Sequence, residues 1–561
     1  MILGIIVLVF ITRLYVVQIM HGDEFAQRAE RQYVSTSAAP FDRGSIFFTR
    51  KDGTLLSAAT VTRGFVLAIN PTQIQNPEDV YTQLSEYVEL DRDDFLARAG
   101  KTEDPYEELA HRIPEEVGEA VRALDIPGVL LVRETWRYYP GNERAAHTLG
   151  FLAYQGDELA GRYGIERSYE EVLDRESNAL YVNFFAEVFA NLGSIIFDRG
   201  ATQEGNVVTT LEPNVQIELE EILAGIESQW GSKSTGGIIM HPETGAIYAL
   251  GARPTFDANA FEESGIEAFK NPLIENIYEF GSIIKPITMA IGIDSGAITP
   301  ETTYVDAGSL RIDGAVISNF DGEARGEVPM QEVLSQSLNT GVAFIVEETG
   351  TQTFKRYMED LHFGEETGID LPNEARGLTG NLESPRLLEY VTASFGQGVA
   401  VSPINAARSL AAVANGGTVV TPHVAQEVRR ASGLRTQLTP ESKEKVFDAT
   451  TTEAVTRMLV EVVDEALAGG DVAIPSMSVV AKTGTAEIPS PDGGYYDDRF
   501  LHSFFGYFPA YEPEFLIFLY TVEPQGVRYA SETLTTPFMD LVKFLTNYYD
   551  VSPDRVYESI S

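Results

Sequence analysis

Serine, lysine and asparagine side chains recur at spacings that suit nucleophilic chemistry in the second half of the chain. Three motifs follow one another: Ser282-x-x-Lys285, Ser337-x-Asn339 and Lys482-Thr483-Gly484. A serine hydroxyl attacks a carbonyl carbon when a neighbouring base takes its proton. Ser-x-x-Lys alone is common by chance, and Ser442-x-x-Lys445 repeats it in a charged stretch, so the prediction rests on the trio.

The surroundings of Ser282 favour a reactive hydroxyl. Pro286 fits a helix only near its first turn, so the apolar helix 283–293 must begin close to Ser282. The N–H groups at that helix start suit a nucleophile that develops negative charge. Lys285 lies one turn along the same face, and burial beside a second cation, Lys482, would keep it partly neutral. The alternative is a plain helix cap beside a lysine that reaches solvent.

A strand supplies the second group of candidates. The apolar run 478–481 leads into Lys482, Thr483, Gly484 and Thr485. Gly484 leaves room for another backbone, which we interpret as an extended substrate. The backbone N–H groups of Thr485 and Ser282 would then form an oxyanion hole.

Ser337 and Asn339 follow Leu334 at the predicted start of another helix. The hydroxyl would relay a proton, and the amide would donate a hydrogen bond to the substrate. The alternative for this pair is a plain helix N-cap.

The elements around these motifs predict an α+β fold. Two apolar runs around residues 241–245 indicate a β-hairpin, and further strands are expected at 476–481, 503–508 and 515–522. Helices are expected at 213–229, 283–293, 403–414, 451–466 and 537–549. Together they predict an antiparallel sheet with helices packed on it, which occupies residues 206–561.

The N-terminal third has a different character. Residues 1–20 are apolar with one charge and are predicted to form a membrane anchor, whose N-terminal end can be incomplete; a signal peptide or a buried helix is the alternative. Residues 21–205 are expected to form an elongated mixed domain, with an acidic helical insert at about 77–124.

Composition excludes several classes of function. The 561 residues include 83 acidic and 41 basic side chains, and the net charge of -42 would repel a polyphosphate, so we expect no nucleic-acid partner. With no cysteine and seven scattered histidines, the chain is expected to hold neither a metal nor a cofactor. Only ten of the basic residues are lysines, so the presence of Lys285 and Lys482 at the two motif positions that need a lysine strengthens the prediction of an active site. The acidic excess also suggests a salty habitat, where repulsion is screened.

The three motifs resemble those of class B penicillin-binding proteins, the D,D-transpeptidases of peptidoglycan. Further blocks extend the resemblance over most of the chain: 41–46, 137–140, 147–150 and 164–169 resemble the non-catalytic pedestal domain, whereas 395–403, 493–495 and 503–509 resemble the surroundings of the catalytic cleft. Phe280 departs from the family's usual proline, and Leu338 is bulkier than usual.

The resemblance implies a function and a set of roles. Ser282 would be acylated by a stem peptide with Lys285 as its base, and Ser337, Asn339 and Lys482 would complete the catalytic set. Thr483, Gly484 and Thr485 would bind substrate, with Lys482 and Thr483 holding its terminal carboxylate. β-Lactams would acylate the same serine. The chain would act outside the cytoplasm from a single-pass anchor in the cell membrane, beside a SEDS-type glycosyltransferase and other division or elongation proteins.

Asn339 at the end of the second motif resembles the septal branch of the family more than the elongation branch. Two alternatives remain open at this point. One is a D,D-carboxypeptidase or β-lactamase-like hydrolase with the same motifs, and the other is a non-catalytic scaffold of the division machinery.

Overall fold

The computed structural model describes residues 42–155, 158–175, 204–430, 432–438 and 444–555. They form two compact units. The smaller unit comprises residues 60–138 with short pieces before and after them, and the larger comprises 45–59, 139–170 and the chain from residue 205 onward. The predicted anchor, residues 1–20, lies outside the described residues. Within the described ranges, no helix is both long and apolar enough to span a bilayer.

The smaller unit is a sheet covered by helices. Residues 60–69 of the strand Leu55–Ile69 pair antiparallel with the strands Glu107–Pro114 and Val129–Tyr138. The helices Pro77–Leu84, Arg92–Ala99 and Glu115–Ala123 contribute Leu84, Phe95 and Val121 to its buried core. The prediction of a helical insert at about 77–124 is therefore wrong for 107–114, where an edge strand that is half-buried or exposed at all but one residue lacks the apolar alternation that marks a strand.

The larger unit contains a five-stranded antiparallel sheet that carries the candidate site. Its strands, in spatial order, are Val480–Pro489, Tyr495–Phe508, Phe515–Val522, Ser234–Met240 and Ile247–Arg253. The predicted hairpin around 241–245 and the predicted strands 503–508 and 515–522 are confirmed. The predicted strand 476–481 is wrong at its start, because residues 475–477 form a turn and the strand begins only at Val480. Val480–Pro489 lies at one edge of this sheet, so no strand of the described residues pairs with its outer backbone groups.

Two helices cover one face of the five-stranded sheet. Pro213–Trp230 and Ala530–Tyr549 bury Leu219, Leu223 and Phe538 against Phe504 and Ile517 in a single apolar cluster. Burying a side chain of this size contributes about 1.5–3 kcal/mol. The predicted helix 537–549 begins seven residues earlier, because the Glu532 carboxylate accepts a hydrogen bond from the Tyr529 N–H at 3.3 Å at the helix start and Pro537 lies inside the helix.

The opposite face of the sheet supports the segment that contains Ser282. Phe280 is buried and packs its ring edge-on against Phe518, with 5.1 Å between ring centroids. The larger unit also contains the helices Ala146–Leu149, Gly164–Ser168, Lys285–Asp294, Met330–Ser335, Asn339–Thr349, Thr351–Asp360, Leu387–Ser394, Pro403–Ala414 and Ala449–Glu461.

Smaller strand pairs complete the larger unit. Thr303–Asp306 pairs with Gly326–Pro329, Ser309–Ile312 with Ala315–Ser318, Leu152–Gln155 with Glu158–Gly161, and Thr418–Val419 with Glu444–Lys445. Ile46–Thr49 pairs with residues 55–59 and with Gly205–Thr209, which also pairs with Ala425–Arg430; Arg435–Gln437 adds to that strand. The predicted α+β architecture is confirmed.

Candidate active site

Ser282 lies on a tight turn at the entrance to a buried helix. The turn is the 3₁₀ segment Gly281–Ile284, and it runs directly into the helix Lys285–Asp294 with Pro286 in its first turn. Gly281 has a φ of +66°, and a Cβ there would lie 2.7 Å from the carbonyl oxygen of Thr485, so both conformation and space require glycine. Ser282 itself is half-buried and lines a cleft of about 560 Å³. The predicted helix start beside Ser282 is confirmed.

The structure brings the lysines of the first and third motifs to the serine of the second. Lys285 Nζ donates hydrogen bonds to the carbonyl oxygen of Ser337 at 2.5 Å and to its Oγ at 3.2 Å. Lys482 Nζ donates to the same Oγ at 3.0 Å and to the carbonyl oxygen of Thr483 at 3.0 Å. A single hydroxyl therefore connects two amines from elements far apart in sequence.

Burial disfavours the charge on both amines. Lys285 is 0% and Lys482 3% exposed. Burial lowers the pKa of Lys285 well below the ordinary lysine value, and the nearby Lys482 lowers it further. Burial also lowers the pKa of Lys482 to about 7. The alternative of a lysine that reaches solvent is wrong for Lys285, and a neutral amine there can accept a proton.

Ser337 and Asn339 flank a break between two helices. Ser337 follows Met330–Ser335 with a φ of +55°, a conformation that non-glycine residues rarely adopt. Asn339 is the first residue of the helix Asn339–Thr349, whose N-cap is Leu338. Asn339 Nδ2 donates to the carbonyl oxygen of Ser318 at 2.9 Å. The alternative that this pair caps the helix is wrong, since no side chain caps it.

The strand Val480–Pro489 presents the third motif in an alternating pattern. Lys482 and Gly484 are buried, while Thr483 and Thr485 are half-buried and line the cleft. A Cβ on Gly484 would lie 2.3 Å from Ser503 Oγ and 2.5 Å from the carbonyl oxygen of Phe280. The backbone that approaches Gly484 is thus the turn before Ser282, and the interpretation of this glycine as room for a substrate is wrong.

A buried carboxylate fixes the helix start that carries Asn339. Asp306 accepts hydrogen bonds from Thr340 Oγ1 at 2.8 Å, Asn319 Nδ2 at 2.9 Å and the Arg325 N–H at 3.0 Å. Burial acts to raise the pKa of Asp306, but its hydrogen bonds outweigh that effect and lower the pKa. The network ties the cleft-lining segment 316–320 to the residue after Asn339.

Several residues of the cleft wall escape prediction from the motifs. They are Val316, Ile317, Ser318, Asn319, Phe320, Phe395, Gln397, Glu487, Phe500, Arg528, Tyr529, Ala530 and Ser531. Phe395 and Gln397 fall in the block 395–403, which resembles the surroundings of the catalytic cleft, whereas the others lie on strands, loops and a helix start without a motif. In the described ranges, no three His, Asp or Glu side chains are close enough to hold a metal ion.

Two models of known protein families match the chain. Residues 235–542 match the family described as penicillin binding protein transpeptidase domain. Residues 39–184 match the family described as penicillin-binding protein dimerisation domain. The first match contains every candidate site residue.

Curated relatives match the chain over most of its length. Stage V sporulation protein D of Bacillus subtilis is 27% identical over 96% of this chain and 83% of its own. Peptidoglycan D,D-transpeptidase MrdA of Acinetobacter baumannii is 26% identical, with 91% and 82% covered, and FtsI of Escherichia coli is 24% identical, with 80% and 73% covered.

Solved structures share the fold. Penicillin binding protein 3 of Mycobacterium tuberculosis, complexed with aztreonam, is 20% identical with a TM-score of 0.69, over 92% of this chain and 97% of that one. Penicillin binding protein 2X of Streptococcus thermophilus is 19% identical with a TM-score of 0.70, over 91% and 81%.

Proposed function

Because the chain belongs to the penicillin-binding protein transpeptidase family, we propose that it cross-links peptidoglycan stem peptides through an acyl-enzyme on Ser282. The observation that carries this proposal is the junction of Lys285, Ser337 and Lys482 beside the cleft-lining Ser282. Two buried amines with lowered pKa values beside one hydroxyl contribute little to the stability of the fold. They can, however, supply both the base and the cation that acyl transfer needs.

The first half-reaction forms an ester. Ser282 Oγ attacks the penultimate D-Ala carbonyl of a donor stem, and its proton passes to neutral Lys285. The C–N bond to the terminal D-Ala then breaks, and that amine leaves with a proton from the Lys285, Ser337 and Lys482 junction. The positive charge on Lys482 and the hydroxyl of Thr483 hold the terminal carboxylate, with Thr485 as a further contact along the strand.

The second half-reaction forms the cross-link. The side-chain amine of an acceptor stem attacks the ester carbonyl, gives a proton to Lys285 and displaces Ser282 Oγ, which regains its proton. Asn339 at the cleft wall orients the donor amide. No cofactor enters either step.

Labelling by a fluorescent penicillin tests the nucleophile. The wild type should form one covalent adduct that survives denaturation, and Ser282→Ala should abolish it while leaving the unfolding temperature within a few degrees. Ser264→Ala, which changes a serine that does not line the cleft, is the matched control and should keep its labelling. Undiminished labelling of Ser282→Ala would refute the proposal.

Product analysis separates the transpeptidase from a hydrolase. A purified stem pentapeptide with an amine acceptor should give a cross-linked dimer by mass spectrometry, whereas a D,D-carboxypeptidase or β-lactamase-like enzyme would give only the shortened peptide or hydrolysed lactam. Complementation of a depleted strain by Ser282→Ala would instead favour a non-catalytic scaffold.

The resemblance of the second motif supports a role in septal cell-wall synthesis. We place the proposed activity outside the cytoplasm, on a chain with anchor 1–20, pedestal 21–205 and transpeptidase domain 206–561. A SEDS-type glycosyltransferase is the expected membrane partner. Depletion should produce filaments if the role is septal and rounded cells if it belongs to elongation.

A further inference from the structure

One carboxylate lies in line with the third motif on the cleft side of the edge strand. Thr483, Thr485 and Glu487 are the half-buried residues of Val480–Pro489 that line the cleft, at every second position. Successive residues on one face of a strand are about 6.8 Å apart. Glu487 therefore lies one such step beyond Thr485, and two beyond Thr483, along the edge strand.

Glu487 differs from the neighbouring carboxylates because no residue in the described ranges pairs with its carboxylate. It also borders a second cleft of about 670 Å³, which Glu279 and Glu523 line as well. Glu279 accepts a hydrogen bond from Tyr495 Oη at 3.0 Å, and Glu523 pairs with Lys233 at 3.4 Å. Among the described residues, none donates a hydrogen bond to Glu487 or lies within 4 Å of it as a cation.

Arg528 is the other charged side chain on the wall of the first cleft, and it packs against an aromatic ring instead of pairing with Glu487. The Arg528 guanidinium lies 5.7 Å from the ring centroid of Phe500, and the backbone carbonyl of Arg528 accepts a hydrogen bond from His502 Nε2 at 2.9 Å. Phe500 is the cross-strand partner of Glu487. The anion and the cation thus both border the cleft next to Phe500, and in the described part of the chain they form no ion pair with each other.

We infer that Glu487 is a specificity-determining residue that binds the side-chain ammonium of the donor stem peptide. The inference rests on the proposed function, which sets the substrate and its direction. A stem that serves as acceptor through a side-chain amine carries the same amine when it serves as donor. With the terminal carboxylate at Lys482 and Thr483, the donor runs along the edge strand toward Glu487.

The strand spacing agrees with this arrangement. An extended peptide rises at about the same 3.4 Å per residue as the strand beside it. The donor residue that lies two positions before the terminal D-Ala is therefore level with Thr485. Its side chain has to reach one further step of about 6.8 Å, which is the length of a four- or five-atom amine side chain. A donor without a free amine would lose this contact and keep the others.

Two penicillins that differ in one charged group provide the test. Ampicillin carries an ammonium, and carbenicillin a carboxylate, on the carbon next to the side-chain amide; benzylpenicillin carries neither group. Acylation rate constants for all three are measured by competition with a fluorescent penicillin. The wild type should prefer ampicillin to carbenicillin, and Glu487→Gln should lower that ratio about five- to tenfold, because one charge contact is removed and one repulsion is relieved.

Matched variants show whether the preference comes from a local contact with Glu487 or from the negative electrostatic potential of the whole acidic protein. Arg528→Gln should raise the ampicillin to carbenicillin ratio, because it removes a cation from the same cleft. Glu512→Gln makes the same charge change at an exposed residue that lines neither cleft and should leave the ratio unchanged. Glu487→Lys should reverse the preference.

The outcomes distinguish this inference from the proposed function. If benzylpenicillin acylates the wild type but Glu487→Gln and Glu487→Lys leave the ratio unchanged, the inference is overturned and the acyl-enzyme stands. An equal change in Glu512→Gln also overturns it. If benzylpenicillin does not acylate the wild type at all, the proposed function fails, and the inference fails with it.

Discussion

At the scale of single residues, the protonation states of two lysines decide what the cleft can do. Lys285 has to be neutral to accept a proton, whereas Lys482 has to be charged to hold a carboxylate. Burial lowers the pKa of both groups, and the additional effect of Lys482 on Lys285 separates the two in the required order. The same local arrangement therefore produces a base and a cation from two identical side chains.

This order predicts a falling acylation rate above neutral pH. As the pH rises through the Lys285 pKa, the base becomes available and the rate constant for benzylpenicillin acylation rises. Above about pH 7, Lys482 loses its charge and its hold on the lactam carboxylate, so the rate constant falls. Stopped-flow measurements at constant ionic strength should show this falling limb in the wild type.

Lys482→Arg identifies the group responsible, because arginine keeps its charge throughout this range. In this variant, the pH at which the acylation rate constant begins to fall should be more than one unit higher than in the wild type. Lys355→Arg is the matched control at an exposed ion pair and should follow the wild type. A falling limb that stays in place in Lys482→Arg would contradict the assignment.

At the scale of elements, close backbone contact keeps the nucleophile turn against the edge strand. The carbonyl oxygen of Phe280 accepts a hydrogen bond from Ser503 Oγ at 2.7 Å, directly where a Cβ on Gly484 would point. Ser503 belongs to the neighbouring strand Tyr495–Phe508, so three segments meet at this one glycine.

Gly484→Ala should therefore both destabilise the protein and slow its acylation. The added methyl group forces the strand away from the turn, at a cost of about 1–3 kcal/mol in the free energy of unfolding. Gly225→Ala is the matched control, because nothing lies within 4 Å of its Cβ in the helix Pro213–Trp230. That variant should gain about 0.5–1 kcal/mol. Urea unfolding measures both, and equal effects would contradict the packing argument.

Local sequence patterns predicted the elements better than the contacts between them. Pro403–Ala414 is predicted to the residue, because Ser402 caps the helix and Pro403 starts it. The strand Glu107–Pro114 is missed because its burial comes from neighbours and not from its own alternation. The contact between Lys285 and Ser337 depends on the positive φ of Ser337, which no sequence motif encodes. Glu487 lines the cleft because of the register of its strand, and Arg528 because of the path of its loop, and neither can be predicted from a local pattern.

At the scale of the whole molecule, two electrostatic effects with opposite salt dependence compete. The net charge of -42 makes the folded chain repel itself, and added salt screens that repulsion. Exposed ion pairs such as Arg92–Glu78 and Arg457–Glu453 are weakened by the same salt, but each contributes at most about 1 kcal/mol. With acidic residues twice as numerous as basic ones, the repulsion should dominate.

The unfolding temperature should therefore rise by a few degrees between low and molar salt. The change is expected mostly below about 0.3 M, where the Debye length falls from above 10 Å to about 6 Å. Differential scanning fluorimetry in sodium chloride, with choline chloride at equal ionic strength as the control, measures it. Equal shifts in the two salts indicate screening, whereas a shift confined to sodium indicates a bound ion. An unfolding temperature that is flat or falls with salt would show that the ion pairs outweigh the repulsion, and the acidic composition would then have no adaptive link to a salty habitat.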